Sequence, residues 1–324
     1  MMVNHSFSES LPMNKQRRDL LKFLAGSLVA ASVPSFATPQ DPRRDARIRW
    51  AQGFLLWRNF KGPNGQTPLT LQDALNDLEK VGANGIEFSP MANELEKFGL
   101  TTATCKALLA EKHLSVAGNY FSAPFHDPTK REEILQDAAK RFALLKEFNT
   151  KHIIIGPPSV PANADRTALI KQQAPLLNEI GKRAKDQGLE IGIHPHLNTL
   201  VETAAEIDLA MATTDARYVH LSADTGHIHL AGGDVVAICR KYKARLNYFH
   251  FKDGVRPFVR PDFKPNLREL GKGEIDFPGV MRLLKEIRFN GWVNIEQDAT
   301  TLTPRESATI SMDYVKKVLL PIYR

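Results

Sequence analysis

Cysteine is scarce in this chain, and long apolar runs are missing. The 324 residues include only two cysteines, Cys105 and Cys239, so a disulfide framework of the kind found in small secreted domains is excluded. Each lies in a predicted helix, which favours buried free thiols, although a single bond between them stays open. After residue 37 no stretch is long and apolar enough to span a bilayer, so no stable membrane span is expected.

Positive charge is in excess, but it is not arranged for nucleic acid. The formal net charge is +7 and the pI is about 9.3. The basic residues are scattered apart from clusters such as the one around Arg240 and Arg245. A nucleic-acid groove needs aromatic side chains interleaved with basic ones along its length, and the chain lacks that pattern. We therefore expect solvated helix faces and no nucleic-acid partner.

The N-terminal segment has the features of an export signal. Residues 16–22 read QRRDLLK, which resembles a twin-arginine signal, and the apolar run from Phe23 to Val33 is too short to span a bilayer. Ser35 and Ala37 are small residues at the positions that a signal peptidase reads. We predict a leader over residues 1–37 that the twin-arginine machinery exports to the periplasm, with cleavage after Ala37. The alternative is an amphipathic helix that stays on the protein.

Residues 38–46 are polar and are predicted to be a linker, and a single α/β domain is predicted over residues 47–324. Eight strands, each followed by a helix, are the pattern of a (β/α)8 TIM barrel. The predicted strands are Ile48–Leu56, Asn84–Phe88, Leu114–Ala117, His152–Ile155, the segment around Ile191 and Ile193, Tyr218–Asp224, Leu246–Phe251 and Trp292–Ile295. Asn119–Pro128 is predicted to be a loop.

A doubly wound open sheet is the main alternative to the barrel. Such a fold normally carries a glycine-rich phosphate loop after its first strand. Here that segment reads GFLLWRNFKGPNG and contains no GxGxxG motif. The missing motif favours the barrel.

The stretch Gly188–Thr199, which reads GLEIGIHPHLNT, combines a buried strand with a polar end. Side chains alternate along a strand, so if Ile191 and Ile193 face one side, His194 and His196 share the other. Two imidazoles at a strand end can bind a metal ion or transfer protons. The alternative is one core histidine and one surface histidine.

Three later strands end in residues of the same kind. The sixth reads YVHLSADTGH and supplies Asp224, with His227 in the predicted loop beyond it. The seventh reads LNYFHFKD and supplies His250 and Lys252, and the eighth reads WVNIEQD and supplies Glu296. Catalytic groups of TIM barrels lie at the carboxyl ends of the strands, so these side chains are expected to meet.

Strand alternation directs these polar groups into the barrel. In the sixth strand Ala223 lies between Ser222 and Asp224, so the methyl group can pack on helices while its neighbours point inward. A buried carboxylate or imidazole without a partner costs several kcal/mol, and a divalent cation would supply the partner. One Mn, Co, Zn, Fe or Mg ion suits this mixture of nitrogen and oxygen donors. The predicted ligands are His194, Asp224, His250 and Glu296.

Five motifs carry a resemblance to a known family: HPHLNT at 194–199, DTGHIHLAGGD at 224–234, HFKD at 250–253, GKGEIDFPG at 271–279 and IEQD at 295–298. Over roughly residues 47–320 the sequence resembles the xylose-isomerase-like TIM barrel superfamily of sugar isomerases and epimerases, and within it the inosose dehydratase branch. The resemblance implies the same four metal ligands, with His196, His227 and Lys252 facing the substrate. His194 replaces the glutamate of most members, and Pro195 interrupts the three consecutive histidines of the branch.

The predicted activity is a divalent-metal-dependent lyase or dehydratase acting on a keto-sugar or keto-polyol, of the inosose or 3-keto-glycoside type. The cation would act as a Lewis acid and stabilise an enediolate before β-elimination. Glu296 or His196 is the candidate base, and His227 or His196 is the candidate acid. Lys252 would hold the developing oxyanion. Glu87, at the end of the second strand, is expected to contact the substrate together with His196 and Lys252.

Three other functions are compatible with parts of this pattern. A metal-dependent sugar isomerase or epimerase would use the same cation without a leaving group. A non-catalytic periplasmic sugar-binding protein would need no tight ion. An endonuclease of abasic DNA on the same barrel would need several metals, and hence more strand-end ligands than the sequence offers. In each sugar hypothesis the partner is a small carbohydrate, and homo-oligomerisation stays open.

Overall fold

Eight parallel strands close into a barrel in a computed structural model that describes residues 48–60, 69–88, 95–258 and 260–324. The strands are β1 Ile48–Gly53, β2 Gly85–Phe88, β3 Ser115–Ser122, β4 His152–Gly156, β5 Glu190–Ile193, β6 Val219–Asp224, β7 Leu246–Phe251 and β8 Gly291–Ile295. Their closed order is β1-β8-β7-β6-β5-β4-β3-β2, which confirms the TIM barrel and excludes the open sheet. The predicted leader, linker and cleavage site after Ala37 lie outside the described residues.

The helices follow the strands in chain order, and most of the longer ones begin at a side chain that caps their first turn. Thr70 caps the helix Leu71–Val81 with a reciprocal pair of hydrogen bonds to Asp73. No helix in the described ranges has the length and hydropathy needed to cross a membrane. The helices are Leu55–Arg58, Leu71–Val81, Thr102–Glu111, Arg131–Glu147, Arg166–Lys185, Ala204–Thr213, Thr225–Leu230, Val235–Lys241, Phe277–Glu286 and Pro304–Tyr314, followed by the π-helical turn Val315–Leu319 and the short helix Leu320–Tyr323.

The core has two layers, as alternation along the strands predicts. Outward side chains such as Ile191 and Ile193 pack with the helices in the large outer layer. A smaller inner layer fills the barrel and consists of Ala51, Ala117, Ile154, Tyr248 and Trp292, with Tyr120 packed against it. In β6, Leu221 and Ala223 belong to the outer layer. The intervening residues therefore face the barrel axis, which is where the predicted ligands need to point.

β3 is longer than predicted. The predicted start of the following loop, at Asn119, is wrong, because β3 continues to Ser122. Gly118 lies within this longer strand, and a Cβ at this position would lie 2.6 Å from Ile154 Cδ1, so a side chain here would force Ile154 to move. Glycine inside a strand often marks such a close approach. The extension places Tyr120 inside the barrel mouth.

The residues after β6 form a helix rather than the predicted loop. Asp224 is the N-cap of Thr225–Leu230, and its Oδ1 accepts a hydrogen bond from the backbone nitrogen of His227 at 2.7 Å. An aspartate cap satisfies one of the free N–H groups of the first turn. His227 therefore lies on a short helix whose start is fixed by a predicted metal ligand.

Both cysteines are free and buried, which confirms the interpretation as unpaired thiols. Burial raises the pKa of Cys105 to about 11 and that of Cys239 to about 12. Thiolates are the reactive form of cysteine, so both side chains are chemically inert in the folded protein.

His152 begins β4 and is buried, and neither of its ring nitrogens has a hydrogen-bond partner among the described residues. Burial lowers its pKa to about 3, from the usual 6.5. Between these two values the unfolded chain binds a proton that the folded protein does not, so falling pH favours unfolding. The stabilising contribution is complete above the unfolded pKa and decreases as the pH falls.

We expect the variant His152→Asn to remove this dependence. The free energy of unfolding of the wild type should fall by about 1.4 kcal/mol more per pH unit than that of the variant, between about pH 6 and pH 4. Urea unfolding at several pH values measures the difference. His113→Asn, which changes an exposed histidine in the left-handed region, is the matched control and should keep the wild-type slope. Equal slopes for wild type and His152→Asn would contradict the prediction.

Candidate metal centre

The four predicted ligands meet at the carboxyl end of the barrel. His194 directly follows β5, Asp224 ends β6, His250 lies in β7, and Glu296 directly follows β8. One donor atom from each lies within 4.8 Å of all the others. His194, Asp224 and His250 are buried, and Glu296 is partly exposed. The strands thus converge on one point with two imidazoles and two carboxylates, as the sequence predicted.

Asp224 Oδ2 is the clearest sign of a cation site. This atom is buried and has no hydrogen-bond partner within the part of the chain that the structure describes. Four nitrogens surround it just beyond hydrogen-bond distance: Lys252 Nζ at 3.6 Å, His194 Nε2 and His250 Nδ1 at 3.8 Å, and His227 Nε2 at 3.9 Å. Donors about 2.0–2.2 Å from one ion lie about 3–4 Å apart, so the spacing fits a shared divalent ion.

The protonation of His194 and of Glu296 also suits a cation. Burial and the neighbouring His250 lower the pKa of His194 well below its usual value, so His194 is neutral and can donate a lone pair. Burial raises the pKa of Asp224 to about 6. Burial alone would also raise the pKa of Glu296, but Lys252 and His250 together hold that pKa well below its usual range. A divalent ion would compensate these buried carboxylates.

Glu87 supports the centre from the far side of His250. Its Oε2 lies 2.8 Å from His250 Nε2, which leaves Nδ1 of the same ring facing Glu296 at 3.0 Å and Asp224 at 3.8 Å. Burial alone would lower the pKa of His250, but Glu87 and Glu296 raise it well above its usual value. A carboxylate that holds the far nitrogen of a ligand histidine fixes the ring and strengthens its donor. The predicted substrate contact of Glu87 remains a prediction beside this orienting contact.

We expect Glu87→Gln to weaken metal binding without unfolding the protein. The amide oxygen can still accept a hydrogen bond from His250, but the charge that makes the imidazole a stronger donor is lost. Metal affinity should fall by about 10- to 100-fold, measured by competition with a coloured chelator. Glu286→Gln, an exposed glutamate that pairs with Arg240, is the control and should bind metal normally. An unchanged dissociation constant in Glu87→Gln would show that Glu87 does not orient the ligand.

Lys252 is fully buried beside the four candidate ligands. Its Nζ lies 2.6 Å from Asp298 Oδ2, 3.0 Å from Glu296 Oε2 and 3.0 Å from His227 Nε2. Burial alone would lower the pKa of Lys252, but Asp224, Asp298 and Glu296 raise it well above its usual value. The side chain is therefore a fixed ammonium group whose three N–H donors are directed at Asp298, Glu296 and His227.

His196 and His227 pack against each other at the edge of the centre, with ring centroids 3.7 Å apart. His196 Nδ1 lies 2.7 Å from the carbonyl oxygen of Leu197, so this nitrogen carries a proton and Nε2 is the free base. His227 Nε2 accepts from Lys252 Nζ, so the proton of His227 is on Nδ1. His196 therefore offers a free nitrogen that can accept a proton, whereas His227 offers an N–H group that can donate one.

Two contributors to the site were missed by the sequence analysis. Asp298 binds Lys252, and Tyr120 lies edge-on to His194 with ring centroids 5.5 Å apart. Gly156 makes room for the tyrosine, because a Cβ there would collide with the Tyr120 ring and hydroxyl. Asp298 follows Glu296 by two residues, so alternation could have identified it. Tyr120 was hidden by the early end assigned to the third strand.

The loop after β7 covers part of the mouth. Asp253–Gly254 pairs with Leu267–Arg268 in a short antiparallel ribbon. Phe263, between the two ribbon strands, packs its ring on His227 with centroids 5.0 Å apart. Arg260 in the same loop forms an ion pair with Glu202. The contacts described above place all the predicted site residues around the same mouth of the barrel. These residues are Glu87, His194, His196, Asp224, His227, His250, Lys252 and Glu296.

Comparisons with known proteins agree with this architecture. The family model of the xylose isomerase-like TIM barrel matches residues 75–318. An inosose dehydratase of Bacillus velezensis is 30% identical over 305 residues, which cover 84% of this chain and 97% of the relative. An inosose dehydratase of Clostridium tetani is 27% identical over 288 residues, which cover 81% of this chain and 94% of the relative.

Solved structures show the same fold. The probable 3-DHS dehydratase AsbF of Bacillus anthracis superposes with a TM-score of 0.70 at 14% identity, covering 83% of this chain and 99% of that protein. The IOLI protein, solved with a bound zinc atom, superposes with a TM-score of 0.69 at 18% identity, covering 85% of this chain and 98% of that protein. With the family model spanning most of the described barrel, the chain belongs to the xylose isomerase-like TIM barrel family.

Proposed function

We propose that this protein is a divalent-metal-dependent lyase that removes a β-leaving group from a keto-sugar or keto-polyol. The observation that carries the proposal is the set of four donors around the unpartnered Oδ2 of Asp224, within the described residues. The relatives named inosose dehydratase support the lyase class, because loss of water from a keto-polyol is such an elimination. Mn, Co, Zn, Fe and Mg remain candidates for the metal.

The ion would be held by His194, Asp224, His250 and Glu296, and when bound it would polarise the ketone and stabilise the negative charge that develops on the ketone oxygen. The protein then has to remove the proton next to the ketone. His196 Nε2 is the best base, since its Nδ1 proton is held by the Leu197 carbonyl. Glu296 is the alternative base, but its close contacts with Lys252 and His250 stabilise its ionised form and weaken it as a proton acceptor.

The leaving oxygen needs a proton as the carbon–oxygen bond breaks. His227 Nδ1–H can supply it, while Nε2 of the same ring takes a proton from Lys252 Nζ at 3.0 Å. This relay leaves Lys252 neutral until a proton returns to it. The relay also gives a role to the contact at the mouth between a proton acceptor, the His227 ring, and a proton donor, the Lys252 ammonium group.

The test is turnover of 2-keto-myo-inositol by protein loaded in turn with each candidate metal. The expected result is the ultraviolet absorbance of an enone, which disappears after treatment with a chelator and returns when metal is added. Conversion of a keto-sugar to an isomer without that absorbance would show that the protein is an isomerase or epimerase and not a lyase. Tight sugar binding without any chemical change would show that the protein binds sugars but is not an enzyme.

A further inference from the structure

A cleft adjoins the metal centre on the side of the barrel where β1 and β8 are neighbours. Its volume is about 820 Å³, within the range of roughly 300–1,000 Å³ typical of small-ligand sites. The walls combine apolar side chains, hydroxyl groups and charged groups. The lining residues include Leu56, Phe60, Lys264, Asp298, Thr300 and Thr301.

Asp298 connects this cleft to the centre. It lies on the cleft wall, and its Oδ2 contacts Lys252 Nζ at 2.6 Å. The same Nζ lies 3.0 Å from His227 Nε2, the ring assigned to protonate the leaving oxygen. A leaving group that extends past Lys252 from a substrate held at the centre would therefore enter the cleft beside Asp298.

The cleft extends further than a single sugar ring needs. A second cavity of about 490 Å³ shares Lys264, Ala299, Thr300 and Thr301 with the first. It continues between the loop after β7 and the segment after β8. Departing water needs no such space. A sugar or a similar polar ring would use both the hydroxyl groups and the apolar patches of the walls.

We propose that the substrate is a keto-glycoside, in which the leaving group is an alcohol that occupies this cleft. The inference rests on the proposed function and specifies its substrate class. The base takes the proton next to the ketone, and the electrons of that C–H bond form a C=C bond. The bond between the β-carbon and the glycosidic oxygen breaks, and that oxygen keeps the bonding electrons and accepts a proton from His227. The products are an enone and a free alcohol, and no oxidant or reductant is consumed.

The test compares 3-keto-cellobiose, which would release glucose, with 2-keto-myo-inositol, which would lose water. Thr301 is exposed, lines both cavities and has no hydrogen bond to any described residue, so Thr301→Trp should fold and fill the cleft. We expect the ratio of kcat/KM for the glycoside to that for the polyol to fall by about tenfold. Thr167→Trp is the control, an exposed threonine on the helix after β4, across the barrel from β8, and it should keep the wild-type ratio.

Binding of unoxidised cellobiose, followed by calorimetry, gives a readout that does not need turnover. It should weaken in Thr301→Trp and not in Thr167→Trp. If the wild type prefers the polyol, or if Thr301→Trp changes neither the ratio nor cellobiose binding, the cleft does not receive a leaving group and the inference is overturned. If metal-loaded wild type converts neither keto substrate, the proposed lyase function itself fails, whatever the cleft binds.

Discussion

Asp224→Asn should lower turnover by about a thousandfold, the largest loss expected from a single substitution in this protein. Nitrogens of His194, His250 and Lys252 surround Asp224 Oδ2. Asparagine places an uncharged group at that point. A charged ligand of a catalytic cation is worth several kcal/mol in the transition state, and about 4 kcal/mol corresponds to a thousandfold in rate. The measurements are kcat and the metal content per chain, which should both fall.

The fold should survive this change. In the variant, the side-chain amide oxygen can still accept the hydrogen bond from the backbone of His227, since asparagine caps helices as well as aspartate does. Asp234→Asn, at the exposed cap of Val235–Lys241, is the matched control and should keep full activity. Full turnover and full metal content in Asp224→Asn would disprove the candidate metal centre.

Lys252→Met should have the second largest effect, on both stability and rate. The variant leaves Asp298 and Glu296 without the buried ammonium group that lies between them. Breaking a buried ion pair from one side costs about 3–5 kcal/mol, measured by urea unfolding of the metal-free protein at neutral pH. Because the pKa of Lys252 is raised on folding, its stabilisation is complete at neutral pH and is lost only as the pH rises through the folded value.

Turnover of the metal-loaded variant should fall by about 10²- to 10⁴-fold, because the proton relay through His227 loses its source. The double variant Lys252→Met with Asp298→Asn removes one stranded carboxylate and should recover part of the stability but none of the rate. Lys272→Met, at an exposed lysine of the β7–β8 loop, is the control for both measurements. Wild-type stability and rate in Lys252→Met would contradict this role.

Much of the barrel and its centre could be predicted because both follow from strand alternation. His194, Asp224, His250 and Glu296 come at the ends of apolar strands, and parallel strands of a barrel bring their carboxyl ends to one rim. Sequence alone therefore predicted the four residues that meet at the candidate metal centre, and the histidines and lysine around them. The relation to the xylose isomerase-like family pointed the same way.

Other features depend on contacts between distant segments and left no local signal. Glu87 and His250 are 163 positions apart, so the orienting contact between them is visible only once the barrel is closed. Gly118 shows no local sign of its packing role, because the crowding comes from Ile154 on the next strand. The cleft beside Asp298 is formed by loops after three different strands, and no local pattern describes their spacing.

Only one oxygen of Asp224 is free for an ion, and this would limit which ions the candidate centre can bind. Oδ1 is committed to the backbone of the short helix that carries His227, so the carboxylate can offer an incoming ion only its other oxygen. Calcium requires about six to eight oxygen donors and often binds a carboxylate through both atoms. If the centre binds an ion as proposed, a rim with two imidazoles and a monodentate aspartate would discriminate against calcium in favour of smaller divalent ions.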